Sequence, residues 1–398
     1  MNAILDRLAP YPFERLRSLL DGVQPATGHA PLNLSIGEPR HPTPEVIRAA
    51  VCDNLDGLSG YPPTAGSEAL RTAIAGWLER RYRLPAIDAR TQVLPVLGSR
   101  EALFAFAQTV IDPGAGGWVV CPNPFYQIYE GAALLAGARP WYVDQPAGRD
   151  FRCDWGSVPE AVWAQTRLLY VCSPGNPTGA VMPLAEWRLL FDLSERHGFV
   201  IAADECYSEI HFDENAPPLG ALEAAHALGR GSFERLVVFS SLSKRSNAPG
   251  MRSGFVAGDA ALLRRFLLYR TYHGSAMSPT FQAASIAAWN DEAHVRANRA
   301  LYREKFDAVT PIVAAALVTR RPEAGFYLWA QVPGGDDQHF CRELLRQCNV
   351  LTLPGSFLAR DNQGRNPGQG FVRLALVEPL ERCAEAARRI RSFTERFP

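Results

Sequence analysis

Short runs of β-branched and aromatic residues alternate with stretches of helical periodicity between residues 90 and 260. The runs that predict strands are 91–97, 117–121, 139–143, 167–172, 199–204, 235–240 and 253–257. Helical periodicity fills several of the gaps, at 100–111, 125–136 and 184–197. In the last of these, Leu184, Trp187 and Phe191 repeat on one helical face. This alternation predicts an α/β fold in which a mainly parallel seven-stranded sheet lies between helices.

From about residue 285 the pattern changes to longer helices separated by short strands. Helices are predicted at 292–318, 337–348 and 379–395, and strands near 325–331 and 370–377. The segment 1–44 is rich in proline and cannot form a domain alone, so we expect it to pack with this C-terminal part. The predicted organisation is a large domain at 45–285 and a smaller α+β domain built from residues 1–44 and 286–398.

The composition narrows the class of protein. The 398 residues carry 41 Lys+Arg and 41 Asp+Glu, and this zero net charge argues against a nucleic-acid-binding protein. No uncharged apolar run approaches the ~20 residues of a membrane helix, and Met1–Leu20 lacks the apolar core of a signal peptide. The eight cysteines form no CxxC pair, so we expect buried free thiols and neither disulfides nor a metal. We expect a soluble, cytoplasmic protein that binds neither nucleic acid nor membranes.

An acidic residue ends the most apolar of the predicted strands. Residues 199–203 are apolar throughout, which is typical of a strand buried on both faces, and Asp204 follows them directly. A buried carboxylate needs a cation or strong hydrogen-bond donors. Two interpretations are open at this point, an ion pair with an arginine or a counter-ion for a cationic ligand atom. In open sheets of this type ligands bind beyond the carboxyl ends of the strands, where Asp204 lies.

Only two residues can supply a side-chain primary amine, Lys244 and Lys305. Lys244 follows the predicted strand 235–240 in a loop rich in serine, glycine and proline. Ser241 and Arg252 in the same loop suit a phosphate monoester, although an ordinary surface lysine is the alternative. Lys305 lies in a charged amphipathic helix, where we expect it to face solvent.

Two further loops follow predicted strands. Residues 173–179 contain two prolines and two glycines, which fix a tight loop and leave Asn176 to project inward. Ser99 and Arg100 follow Gly98 at the start of a predicted helix, where backbone N–H groups and the helix dipole attract anions. Taken singly, each loop is also explained by an ordinary turn or helix cap.

One cofactor accounts for all of these loops together. Pyridoxal 5′-phosphate (PLP) needs an amine for a Schiff base, a carboxylate at its pyridinium nitrogen, donors to its ring oxygen and a phosphate-binding cup. The candidates are, in that order, Lys244, Asp204, Asn176 with Tyr207, and the set Ser99, Arg100, Ser241 and Arg252. Motifs typical of dinucleotide binding, P-loops, serine hydrolases and zinc proteases are absent from the sequence.

The segments SPGNPTG at 173–179, ADECY at 203–207 and SLSKRSNAPGMR at 241–252 together resemble the fold-type I, class I/II aminotransferases, which use PLP. The resemblance covers essentially the whole chain, through LSIGEP at 34–39, YPPTAGSEALR at 61–71, NPFYQIY at 123–129 and FVRLALV at 371–377. Within that family, DRLAPYPFERLR at 6–17 and SIGEPRHPTP at 35–44 resemble bacterial N-succinyldiaminopimelate aminotransferases of lysine biosynthesis.

The resemblance implies a role for each matching residue. Lys244 would be the Schiff-base lysine and the base that moves the proton between the substrate Cα and the cofactor C4′. Asp204 would keep the pyridine nitrogen protonated, while Asn176 and Tyr207 would donate to the ring oxygen. The other implied contacts are stacking of Tyr126 on the ring, binding of the substrate α-carboxylate by Arg373 beside Asn176 and Gly37, and binding of the neighbouring subunit's phosphate by Tyr61. This last contact implies a homodimer with shared active sites.

The implied reaction moves an amino group between an amino-acid donor and 2-oxoglutarate, with N-succinyl-LL-2,6-diaminopimelate as the expected donor. The alternatives are an acetylornithine, aspartate or aromatic donor, a PLP-dependent C–S β-lyase, and a PLP-sensing domain without turnover. No motif marks the residue that receives the distal carboxylate of 2-oxoglutarate. Arg40, near Gly37, is a candidate for it.

Overall fold

The computed structural model describes residues 1–396. Over these residues the helices are α1 Pro12–Leu19, α2 Glu45–Cys52, α3 Glu68–Tyr82, α4 Ser99–Val110, α5 Ile128–Leu135, α6 Glu160–Trp163, α7 Leu184–His197, α8 Ala221–Ala227, α9 Leu242–Arg245, α10 Ala260–His273, α11 Pro279–Asn290, α12 Ala293–Ala314, α13 Asp337–Cys348 and α14 Leu380–Thr394. The strands are β1 Leu32–Asn33, β2 Val93–Val96, β3 Trp118–Asn123, β4 Arg139–Asp144, β5 Thr166–Cys172, β6 Val200–Asp204, β7 Leu236–Ser241, β8 Gly254–Gly258, β9 Tyr327–Gln331, β10 Val350–Leu351, β11 Leu353–Pro354 and β12 Phe371–Ala375. None of these helices is long and apolar enough to cross a membrane.

The central element is a seven-stranded sheet in the order β2-β8-β7-β6-β5-β3-β4. Strands β3 to β7 pair in parallel, whereas β8 is antiparallel to both β2 and β7. Each of the seven runs that predicted a strand forms one strand of this sheet. The predicted α/β fold with a mainly parallel seven-stranded sheet is therefore confirmed.

Helices cover both faces of the sheet because alternate residues of each central strand point to opposite sides. In β6, Val200 and Ala202 belong to the core formed with α4, α5 and α10, while Ile201 belongs to the core formed with α3, α7 and α8. On α7, Trp187 and Leu190 are fully buried, and burial of such side chains contributes about 1.5–3 kcal/mol each. The sheet is therefore packed on both faces, and its strand ends position the loops that follow them.

The C-terminal part combines α12 to α14 with a three-stranded antiparallel sheet in the order β11-β12-β9. Phe306, Leu328 and Val372 belong to its apolar core. Strand β1 pairs in parallel with β10, with Leu32 opposite Val350, so the N-terminal segment packs with this part of the chain. The expected mixture of helices and short strands is present here, while the domain boundaries stay a prediction.

Lys305 is buried, and the prediction that it faces solvent is wrong. Only 2% of the residue is exposed. On α12 it lies three residues after Tyr302 and four before Val309, both buried, so it shares the helix face that packs inward. The charged residues that suggested a solvated helix, such as Glu304 and Asp307, occupy the opposite, exposed face.

Candidate active site

A cavity of about 420 Å³ opens at the carboxyl ends of the central parallel strands. Strand β6 ends at Asp204 and β7 ends at Ser241, so both side chains reach this edge of the sheet. The predicted site residues that line the cavity are Gly37, Ser99, Arg100, Tyr126, Asn176, Asp204, Tyr207, Ser241, Lys244, Arg252 and Arg373. Two predicted residues lie elsewhere: Tyr61 has a fully exposed side chain, and Arg40, the candidate for the distal carboxylate, pairs with Glu378.

Asp204 is a buried carboxylate with two short-range donors. The Tyr129 hydroxyl donates to Oδ2 over 2.7 Å, and the Cys206 backbone N–H donates to Oδ1 over 3.2 Å. Burial raises the pKa of Asp204, and the donors at Cys206 and Tyr129 oppose that effect together with the positive charge of Lys244. The carboxylate forms no ion pair with an arginine within residues 1–396, so the interpretation as a counter-ion for a ligand is the one that remains.

Lys244 lies on α9, directly after β7, and its amine points into the cavity. Nζ donates to the Gly37 carbonyl over 2.6 Å and lies 5.3 Å from the centre of the Phe326 ring. Burial lowers the pKa of the Lys244 amine to about 8. A larger fraction of this amine is therefore uncharged near neutral pH than in a free lysine, as a nucleophile requires.

Cationic and hydroxyl groups converge where α4 begins. Gly98 precedes the helix with φ 85°, and a Cβ at this position would lie 2.3 Å from a guanidinium nitrogen of Arg252. Only glycine permits this close approach of Arg252 to the backbone. The Ser99 and Ser241 side chains line the same end of the cavity. A helix N-terminus, a guanidinium group and two hydroxyls form an arrangement suited to a phosphate.

Arg373 is a buried cation on β12 that forms no ion pair with a carboxylate in the described part of the chain. It is 4% exposed, and its guanidinium group donates to Asn176 Oδ1 over 3.1 Å and to the Ser35 carbonyl over 2.8 Å. Its Nε has no hydrogen-bond partner. A buried guanidinium group with a free donor favours binding of a carboxylate ligand.

The cavity wall opposite the sheet contains a tyrosine that the sequence analysis did not identify. Tyr327, the first residue of β9, lies with its hydroxyl 3.0 Å from that of Tyr207. A Cβ on Gly37 would lie 1.9 Å from the Tyr327 hydroxyl, so a larger residue at position 37 would have to displace the Tyr327 side chain. Nothing in the local sequence of Tyr327 marks it, because its neighbours in the cavity are distant in the chain.

Tyr126 lines the cavity, and the fully buried Tyr129, which donates to Asp204, lies behind it with the two ring centres 5.9 Å apart. Tyr129 was not predicted, although its spacing of three residues from Tyr126 is a signal for a shared helical face. The lining residues that sequence reasoning missed are Tyr11, Pro12, Phe13, Ile36, Gln127, Cys206, Ser243, Pro249, Tyr327 and Leu358.

The prediction of buried free thiols holds for five of the eight cysteines, while Cys52 is exposed and Cys172 and Cys206 are partly exposed.

These groups fit PLP, as the sequence predicted. Asp204 is a buried carboxylate that forms no ion pair within residues 1–396, and a pyridinium N–H would supply a cation in contact with it. Lys244 offers an amine with a lowered pKa, and the end of the cavity at Gly98 offers donors for a phosphate. Arg373 lines the same cavity and forms no ion pair within residues 1–396, so the carboxylate of an amino acid would be a suitable partner for it. The individual roles of these residues stay predictions.

Comparison with known proteins gives the family. Residues 30–390 match the sequence profile "Aminotransferase class I and II". An LL-diaminopimelate aminotransferase of Desulforudis audaxviator is 32% identical, over 96% of this chain and 95% of that protein. The crystal structure of an aminotransferase from Neisseria meningitidis superimposes with a TM-score of 0.96 at 54% identity, covering 99% of this chain and all of that one. A probable N-succinyldiaminopimelate aminotransferase from Thermus thermophilus has a TM-score of 0.84 at 28% identity, covering 96% and 98%.

The likeness extends over nearly the full length of each of these proteins, so it includes the segments that form the cavity. The family uses PLP, and the amine, carboxylate and anion-binding groups of the cavity fit that cofactor. The chain belongs to the class I and II aminotransferases and is a PLP-dependent enzyme that transfers amino groups between amino acids and oxo acids.

Proposed function

We propose that the enzyme transfers the amino group of N-succinyl-LL-2,6-diaminopimelate to 2-oxoglutarate. The observation that carries the proposal is a single cavity that joins the Lys244 amine to the unpaired guanidinium group of Arg373. The donor rests on the resemblance of segments 6–17 and 35–44 and on the likeness to the Thermus thermophilus protein. The relatives described as LL-diaminopimelate aminotransferases favour the same carbon skeleton without the succinyl group, so that compound is the second candidate donor.

The residues of the cavity divide the work of such a reaction. Bound PLP supplies the electron sink that stabilises negative charge at the substrate Cα. Arg373 binds the α-carboxylate through its guanidinium group and so orients the Cα–H bond. The Lys244 amine would be the base that takes the proton from the substrate Cα and delivers it to the cofactor C4′. Asp204 holds the proton on the ring nitrogen, which keeps the electron sink strong.

We assign further residues to the ring oxygen of PLP and to the distal carboxylate of 2-oxoglutarate. Asn176 and Tyr207 are the donors we assign to the ring oxygen, and Tyr126 is the residue we assign to the ring face. Arg40 does not line the cavity and pairs with Glu378, which argues against it as the receptor of the distal carboxylate. Arg100 lines the cavity, and its guanidinium group lies 5.4 Å from the centre of the Tyr11 ring. It forms no ion pair with a carboxylate within residues 1–396, so it is a candidate for an anion, either the phosphate, as predicted, or the distal carboxylate.

A homodimer with shared active sites is part of the proposal. Tyr61 has a fully exposed side chain, and Leu55 and Leu58 just before it are also exposed. Leu268 and Tyr272 on α10 add further exposed apolar groups. Leu55, Leu58 and Tyr61 are close neighbours in the chain, and a local group of exposed large apolar residues is a candidate for a surface that a partner covers. We assign Tyr61 to the phosphate site of the neighbouring subunit.

A panel of donors against acceptors tests the proposed function. The donors are N-succinyl-LL-2,6-diaminopimelate, LL-diaminopimelate, acetylornithine, aspartate and phenylalanine, each with 2-oxoglutarate, and glutamate formation is measured. The proposal expects the highest kcat/KM with the succinylated donor. A higher value with another donor overturns this specificity. Release of pyruvate from a cysteine conjugate without glutamate formation would identify a C–S β-lyase, and no turnover with any donor would favour a sensing domain.

A further inference from the structure

The second lysine of the chain is buried and is linked by a series of hydrogen bonds to the main chain of Lys244. Lys305 Nζ donates to His41 Nε2 over 2.6 Å and to the Val377 carbonyl over 3.3 Å, and it lies 4.9 Å from the centre of the Tyr302 ring. No carboxylate in the described residues forms an ion pair with it. Burying an amine without such a partner is unfavourable, and a methionine of similar length would avoid that cost.

The contact with Lys305 fixes the hydrogen atoms of the His41 ring. Below its lowered pKa of about 8 the Lys305 amine is charged and can only donate, so His41 Nε2 accepts and the ring proton lies on Nδ1. That Nδ1–H donates to Asn298 Oδ1 over 2.9 Å. Burial and the neighbouring Lys305 charge lower the pKa of His41 to about 4, so the ring stays neutral at physiological pH.

Asn298 carries the connection to the main chain of Lys244. Since its Oδ1 accepts from His41 and also from Asn247 Nδ2 over 2.7 Å, its Nδ2 is left to donate. Nδ2 donates to the Lys244 carbonyl over 3.2 Å and to the Arg245 carbonyl over 3.3 Å. The donors and acceptors of the whole chain of contacts are therefore consistent in one direction, from Lys305 to Lys244.

The segment 37–43 also contacts the Lys244 side chain and the residues around it. Gly37 accepts a hydrogen bond from Lys244 Nζ, and Thr43 Oγ1 donates to the Asn247 carbonyl over 3.1 Å. His41 lies between these two points and is held by Lys305. One short segment therefore touches both the side chain of Lys244 and the network that holds its carbonyl.

We propose that Lys305 is a positioning residue for Lys244 and acts through His41 and Asn298. It orients the His41 ring, which orients the Asn298 amide, which holds the Lys244 carbonyl and with it the direction in which the Lys244 side chain enters the cavity. A misplacement of about 1 Å at a reacting group can lower a rate about 100-fold. The inference rests on the proposed role of Lys244 as the residue that binds PLP and moves the proton.

The test compares Lys305→Met with Val313→Ala in the holoenzyme. Val313 is fully buried on the same helix and is absent from the network, so its truncation reports on loss of packing alone. Two quantities are measured, kcat and the pKa of the PLP–Lys244 chromophore from a pH titration of visible absorbance. Lys305→Met is expected to lower kcat about tenfold and to shift the chromophore pKa by about half a unit, while PLP stays bound to Lys244. Val313→Ala is expected to keep both quantities within about twofold and about 0.2 units.

Two substitutions at partly exposed His41 keep the test decisive if Lys305→Met does not fold. His41→Gln retains an acceptor for Lys305 and a donor for Asn298, whereas His41→Phe retains only the ring that packs against Tyr302. The inference expects His41→Gln to resemble the wild type and His41→Phe to resemble Lys305→Met. Equal effects of the two His41 variants, or a chromophore pKa unchanged in Lys305→Met, overturn it. If PLP is not attached to Lys244 in the wild type, the proposed function fails first, and borohydride reduction separates that outcome from this one.

Discussion

Asp204 illustrates how much of the site depends on one buried charge. Its oxygens accept hydrogen bonds from Tyr129 and Cys206, and burial raises its pKa. Two neutral donors compensate a buried carboxylate only in part, and we propose that the protonated ring nitrogen of the cofactor is the further partner. In that arrangement the carboxylate and the pyridinium group would stabilise each other's charged state.

Asp204→Asn is therefore expected to lower kcat by about 100-fold or more, because an amide cannot hold the ring nitrogen protonated. The measurement is kcat for the best donor of the panel, with PLP content determined on the same sample. Glu205→Gln is the matched control. Glu205 is the next residue, is equally buried, and accepts a hydrogen bond from the Tyr82 hydroxyl instead of lining the cavity. A kcat within about threefold of wild type for Asp204→Asn would contradict the role of Asp204.

The two lysines show what a sequence can and cannot reveal at this scale. Lys244 was identifiable because a strand, a serine-rich loop and Arg252 surround it in the sequence. The prediction that Lys305 faces solvent rests on the charge of its neighbours in the sequence, whereas its spacing from Tyr302 and Val309 indicates the buried face of the helix. Its partner His41 is 264 residues away in the chain, so the hydrogen bond that explains its burial has no local signal.

At the scale of elements, the strands and the loops that follow them were predictable. All seven strands of the sheet appear where β-branched runs lie between turn residues, and the parallel arrangement brings Ser99, Asn176, Asp204 and Ser241 to one edge. Part of the remaining wall comes from the start of α1 and from β9, whose positions depend on packing between distant segments. Tyr11 and Tyr327 therefore escaped prediction, although the strand that contains Tyr327 did not.

The close packing of the segment 34–39 on β9 gives a prediction for Gly37. Gly37→Ala is expected to raise KM for amino-acid donors about tenfold, because its Cβ would displace the Tyr327 hydroxyl from beside the Arg373 site. Steady-state kinetics over a series of donor concentrations measures this change. Gly28→Ala is the control, since a Cβ at that exposed position meets nothing within 4 Å. Equal KM values for the two variants would show that Gly37 does not limit the shape of the site.

At the scale of the whole molecule, the pairing of β1 with β10 joins the two ends of the described chain. It places Ser35 and Gly37, from the N-terminal segment, beside Arg373 and Tyr327 from the C-terminal part. The large domain at 45–285 and the small domain of 1–44 and 286–398 stay a prediction. Composition and periodicity could suggest that division. They could not predict contacts between its two parts, such as the hydrogen bond from Lys244 Nζ to the Gly37 carbonyl.

Burial of Lys305 predicts a pH dependence of global stability. Burial lowers the pKa of Lys305 to about 8 from its usual 10.5. Between these values the unfolded chain keeps the proton that the folded protein has lost, so this residue makes the free energy of unfolding rise with pH. Relative to Lys305→Met, the wild type is expected to gain up to about 1.4 kcal/mol per pH unit in this window.

Denaturant unfolding of both holoenzymes at several pH values between 8 and 10.5 measures that difference. The difference is the informative quantity, because buried thiols such as Cys121 and buried phenols such as Tyr170 have raised pKa values and lower the stability of both proteins as pH rises. A difference that is independent of pH would contradict burial of a titrating amine at position 305.

The most direct test of the central claim is to identify the residue that carries the cofactor. Borohydride reduction of the holoenzyme makes the bond between PLP and a lysine amine permanent, and peptide mass spectrometry then locates it. With two lysines in the chain, the outcome is a choice between Lys244 and Lys305. We expect the modification on the peptide that contains Lys244 and none on Lys305. Modification of Lys305, or of neither lysine, would contradict the assignment of this cavity as the active site.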